Sequence, residues 1–318
     1  MRQSHLTEKN ESLLILGTIM LLGAISTALA TSPSSSSGPY LTPQECEAHA
    51  ANYGQGNSAD TYALRACFSA IAGVASPKNT RFTSDKTIEA VGYKNMIIIR
   101  QLTPQAAPSP ALESIRVIAG SKTGLADVRA IALNENESTV IALNYPAEQG
   151  GSPSISTYLW SRNGNMIPIR TTAPVELQGA TSIAVDGSKG MIFAANPEQR
   201  TITVFSSKAD VAGRSPASTT VPLTQIQGSS SQLQHPIDLA VDTLHHVLYS
   251  LEGFENEILG YSYSSLGGTT PIFAATFPAA TTHPTSLTLS SGLLTVAFSD
   301  DTQLSVPAAP TATATGGQ

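Results

Sequence analysis

Two histidines stand at matching places in this 318-residue chain, each followed by proline: His235 opens HPIDLAV and His283 opens HPTSLTL. A pair of imidazoles held near one another could ligate a metal or take up a proton near neutral pH. A plainer reading needs no chemistry, because proline biases the residue before it toward extended backbone and so starts a strand. Asp238 lies just beyond His235, where comparable segments carry the small residues Ala130, Ser182 and Ser286. Ser182, Asp238 and Ser286 would make a polar set beside the two histidines. Asp127, Glu176, Glu252 and Glu255 are further oxygen donors, and a calcium-dependent site would need several of them to converge. Phe254, in the loop EGFENE, is an apolar side chain suited to anchor a partner. No G-x-S-x-G, H-E-x-x-H, P-loop or EF-hand motif occurs. His245 and His246 read as turn residues.

The elements that must position these groups are short strands. From about Asp85 the apolar residues alternate and no helical period is sustained. Five segments share one pattern of strand, tight turn and strand: TIEAVGYKNMIIIR, RAIALNENESTVIAL, TSIAVDGSKGMIFAA, IDLAVDTLHHVLYSL and TSLTLSSGLLTVAFS. Ile131, Ile183, Leu239 and Leu287 are equivalent in them, giving a period of roughly fifty residues, as expected for propeller blades. The strands are apolar on both faces, so each sheet must be covered on both sides, and radial stacking supplies that cover. TITVF and EILGYS read as third strands, STTVPLTQ and TPIFAATF as fourth strands, and NTRFTS as a closing strand. The expected fold is an all-β propeller of five to six blades, some incomplete, over 79–307. His235 and His283 then enter innermost strands on one face of the disc. With Asp238, Ser182 and Ser286 they become candidate polar residues at the mouth of a central channel. Asp186 and Asp242 are equivalent and read as turn caps.

The segments IAVDGSKGMIFAANPEQRTITVF and LAVDTLHHVLYSLEGFENEILGY resemble NHL and YVTN-type propeller repeats. The likeness spans roughly Thr87 to Val306. It implies a propeller, a fold that hosts scaffolds, receptors and some lactone-cleaving enzymes, and it carries over no catalytic residue.

The N-terminus points to export. Residues 1–30 read as a signal peptide, because Leu13–Ala30 is an apolar run ending in Ala-Leu-Ala, a signal-peptidase pattern; the alternative is an uncleaved anchor, since the run is just long enough to span a bilayer. A flexible linker over 31–41 follows. Residues 42–78 predict a helical hairpin: LTPQEC starts one helix, and Leu64, Cys67, Phe68 and Ile71 form one face of a second. Cys46 and Cys67, the two cysteines, would pair as a disulfide across it in an oxidising compartment. The tail 308–318 is low in complexity and expected to be disordered. A net charge of −6 without clustered Lys or Arg argues against nucleic acid.

These features favour an exported propeller, periplasmic, at the cell surface or extracellular, that binds a protein or glycan through disc-face loops without a cofactor. The alternatives are a lactonase-like hydrolase or isomerase at the channel mouth, and an envelope subunit anchored by residues 13–30.

Overall fold

The computed structural model describes residues 79–102, 115–147, 151–207, 222–263, 270–278 and 282–308. The chain divides into two units, Met1–Tyr40 and Leu41–Gln318, and every described residue belongs to the second. The signal segment, the predicted helical hairpin with Cys46 and Cys67, and the tail beyond residue 308 lie outside the described residues. Among those described, no helix is long and apolar enough to cross a membrane.

Five antiparallel sheets form the blades of a β-propeller. Blade 1 comprises β1 (Asn79–Phe82), β2 (Ile88–Tyr93), β3 (Met96–Gln101) and β4 (Ile115–Ala119). Blade 2 comprises β5 (Asp127–Asn134), β6 (Thr139–Tyr145), β7 (Ser154–Leu159) and β8 (Arg170–Thr172). Blade 3 comprises β9 (Ser182–Asp186), β10 (Met191–Asn196), β11 (Thr201–Ser206) and β12 (Thr224–Ile226). Blade 4 comprises β13 (Pro236–Asp242), β14 (Val247–Glu252), β15 (Glu257–Ser262) and β16 (Phe273–Thr276). Blade 5 has β17 (Pro284–Ser290), β18 (Leu293–Phe298) and β19 (Gln303–Pro307), and no fourth strand among the described residues.

Blade 3 shows why two-sided apolar strands demand this architecture. Ile183, Ile192, Ala194 and Phe205 pack with Ile141 and Leu143 of blade 2. Their neighbours Ala184, Phe193, Ala195 and Val204 pack with Leu239 and Leu248 of blade 4. Strand alternation thus feeds two cores from one sheet. Burying a large apolar side chain such as Phe193 or Phe205 contributes about 1.5–3 kcal/mol. Further cores join blades 1 and 2 around Ile97, Ile131 and Tyr158, and blades 4 and 5 around Tyr249, Leu287 and Val296.

The first repeat is displaced from its expected register. Four of the five doublets form strands one and two of their blades, but Thr87–Arg100 spans strands two and three of blade 1. NTRF does not close another blade; it pairs with β2 as the innermost strand of its own. Asn79 Oδ1 accepts the Ile131 N–H of β5 at 3.3 Å, as an inner strand beside an inner strand can. β4 completes blade 1, so the described residues form five blades.

Candidate functional site: the strand-entry face

Each innermost strand begins on one face of the disc, beside the turn linking its blade's second and third strands. A polar residue at the end of the second strand fastens the incoming segment in three blades. Asn144 Oδ1 accepts the N–H groups of Ala126 (2.8 Å) and Asp127 (3.2 Å), and its amide donates to the Gly124 carbonyl (2.8 Å). Asn196 donates to the Gln178 carbonyl at 2.6 Å. In blade 4 the same place holds a carboxylate. Buried Glu252 accepts the N–H groups of Gln234 (2.9 Å) and His235 (2.7 Å) and the Ser250 hydroxyl (2.7 Å). Burial pushes the Glu252 carboxyl above its ordinary range, and these hydrogen bonds offset only part of that.

That latch fixes His235. Its ring stacks on Phe254, with centroids 4.2 Å apart and planes 21° from parallel. Gly253 N donates to the His235 carbonyl at 2.9 Å, and a Cβ at Gly253 would press on Ile237 and His235, so only glycine lets the loop lie this close. Phe254 nevertheless remains 69% exposed. His235 also borders a cleft of about 490 Å3 lined by Asp127, Arg129, Tyr145, Gln178 and Glu198. Arg129 lies over the Tyr145 ring at 4.0 Å and pairs with Asp127 at 3.2 Å. Tyr145 is held by bonds from its hydroxyl to the carbonyls of Ala180 (2.8 Å) and Leu177 (3.2 Å), and burial raises its phenol above the usual value.

Nearer the axis, the expected polar set is only partly assembled. Asp238 is buried and receives Arg81 Nη2 of β1 at 2.8 Å, the Ser182 hydroxyl at 2.5 Å and the Leu287 N–H at 2.8 Å. One carboxylate therefore joins blade 4 to blades 1, 3 and 5. Ser286 is half-buried on β17, and His283 is exposed, its carbonyl taking the Ser299 N–H at 3.0 Å. Among the described residues no three His, Cys, Asp or Glu side chains are grouped to hold a metal ion. Arg81, Arg129 and Tyr145 were not among the sequence candidates. Buried Asp238 requires a cation, but nothing local in the sequence marks Arg81 as supplying it.

The opposite face carries turns. Asp242 accepts the N–H groups of Leu244 and His245, both at 3.0 Å, and contacts His245 Nδ1 at 2.7 Å. Buried Asp186 accepts the Ser188 hydroxyl (2.6 Å), the Lys189 N–H (3.1 Å) and the Tyr263 hydroxyl (2.6 Å). Burial works against its ionisation, but these donors prevail and hold its carboxyl below the ordinary value. Both aspartates cap their turns. His246 has a left-handed backbone, φ 56°, in the turn place where blade 3 has Gly190 at φ 68°.

These sheets and faces define a five-bladed β-propeller. No family model matches the chain, and no curated protein matches it. Among solved structures it is similar to a chain of a humanised mutant of the Chaetomium thermophilum Polycomb Repressive Complex 2 bound to an inhibitor. That likeness has 10% identity and a TM-score of 0.50, and covers 73% of this chain and 71% of the other. It is also similar to a chain of a mitotic checkpoint complex (14% identity, TM-score 0.47, 74% and 76% covered). A third likeness is to the WD40 β-propeller domain of Doa1 (10% identity, TM-score 0.44), where the match covers 74% of this chain and 66% of that one, just under two thirds. At such identities the likeness is one of fold.

Proposed function

We propose that the chain is an exported propeller with repeats of NHL/YVTN type, which binds a protein partner through its strand-entry face. The observation that carries this reading is Phe254: a large apolar ring, mostly exposed, yet braced by its stack on His235 and by the tight Gly253 turn. A rigid exposed aromatic beside a cleft loses little entropy on binding and fits the anchor role. Glu255 next to it and Glu198 at the cleft are exposed carboxylates. They favour a partner with an apolar pocket and a basic rim, and such charges act mainly on association rate. Export rests on the Leu13–Ala30 run, and the repeat type on the quoted segments.

The experiment places a photo-crosslinking amino acid at Phe254 in one protein and at Leu244 in another, expressed in the source cells. Leu244 is 79% exposed in a turn on the opposite face and serves as the control. A discrete adduct with another protein from position 254 alone is expected. Adducts from position 244 alone would move the binding face to the other side. An adduct with polysaccharide would make the partner a glycan.

A further inference from the structure

Blade 1 has a second apolar face that no other blade accounts for. Ala90, Ile97, Ile99 and Ile118 face blade 2, so strand alternation turns Val91, Tyr93, Met96, Ile98 and Val117 the other way. Val91, Ile98 and Val117 stand directly across from one another on β2, β3 and β4. All five are buried, between 1% and 7% exposed, yet none belongs to the four cores between consecutive blades. In a closed ring blade 5 would cover this face. Its outward side is unsuited to that: Thr288 and Ser305 are exposed, and Thr295 bonds to Ser305 at 2.8 Å rather than to a neighbour. Packing the blade 1 face against it would strip water from these hydroxyls at a cost.

We propose that the cover is the chain's own segment 42–78, with the stripe Leu64, Phe68 and Ile71 lying on Val91, Ile98 and Val117. Three observations favour this occupant over a second molecule. The segment ends at Lys78, directly before Asn79 of β1, in the same blade. The few residues between Gly73 and β1 reach roughly 3.3–3.6 Å each when extended, enough to bring the stripe onto the adjacent sheet without spanning the disc. The stripe itself leaves one apolar side needing a partner. The segment thus stands between blades 1 and 5 and takes the covering place that a further blade would fill. This inference is independent of the binding reading.

The test uses the full exported chain with a photo-crosslinker at Phe68, and maps the joined peptides by mass spectrometry. Adducts within 88–99 or 115–119 of the same molecule are expected. Adducts on blade 5, on the 103–114 connection or between two molecules would overturn the proposal, as would the absence of any adduct. Phe68→Asp gives a second readout. It should increase amide exchange in β2 and β3 at least tenfold while leaving β14 and β15 unchanged; uniform exchange across all blades, or no change in blade 1, counts against it.

Discussion

Arg81 on the innermost strand of blade 1 and Asp238 on that of blade 4 meet at 2.8 Å, although 157 residues separate them. Both are largely buried, and the same carboxylate also binds Ser182 and the Leu287 N–H. Asp238→Ala should therefore leave a buried guanidinium without a counter-charge and cost about 3–5 kcal/mol. Replacing both partners, as Arg81→Met with Asp238→Leu, should restore much of that loss. Urea denaturation of the two single variants and the double variant checks this; equal losses that simply add would show that the pair does not act together.

Glu252 gives a pH signature. Its folded-state value is raised, so the folded chain holds this proton more firmly than the unfolded chain does. Its contribution is then fully present below the ordinary value of 4.5 and is lost as pH rises through the raised value. Glu252→Gln keeps an acceptor for the two N–H groups, and its amide can donate to Ser250. The variant should match the parent in melting temperature near pH 4 and exceed it near pH 8. A parent that stays the more stable at both values contradicts the assignment.

Asp186 runs the other way. Its lowered value contributes stability above the ordinary 3.8, and that stability is lost as pH falls through the folded value. Tyr263→Phe removes a 2.6 Å donor to this buried carboxylate and should cost about 1–3 kcal/mol at neutral pH. It should also move the onset of acid unfolding to higher pH, as followed by tryptophan fluorescence or circular dichroism. An unchanged onset would mean that Ser188 and Lys189 N hold the carboxylate alone.

Phe254 and Gly253 should separate binding from folding. Phe254→Ala removes a mostly exposed ring and should change stability by less than about 0.5 kcal/mol. Gly253→Ala forces its neighbours apart and should lower the melting temperature measurably. Thermal unfolding of the two proteins side by side decides this; a larger loss for Phe254→Ala would make that ring part of the core.

The parts of this fold legible in the sequence are those where both faces of a strand are apolar. Ile183 beside Ala184, and Leu239 beside Ala240, announce a sheet covered on two sides, and their recurrence gives the blade period. Blade 1 was misread by one strand because its inner strand, Asn79–Phe82, is mostly polar and shows no alternating signal, whereas TIEAV and MIIIR look like a first pair. The axis contact was legible as an oddity, a charged residue where other repeats carry Ala130, Ser182 and Ser286. Its partner was not, since nothing local marks Arg81 as reaching across the disc. The loop latches at Asn144, Asn196 and Glu252 share a repeat position but differ in residue type and partner atoms, so the common role shows only in the hydrogen bonds. Phe254 could be marked as an exposed anchor; its support by His235 depends on the latch beneath it.

Whether the strand-entry face binds the partner is decided by affinity for the protein captured at position 254. Phe254→Ala, Arg129→Ala and Leu244→Ala would be compared by calorimetric titration at one salt concentration. Loss of an anchor of about 2 kcal/mol predicts roughly thirtyfold weaker binding for Phe254→Ala, with a smaller loss for Arg129→Ala and less than a twofold change for Leu244→Ala. Unaltered binding by Phe254→Ala together with a marked loss in Leu244→Ala would contradict binding through this face.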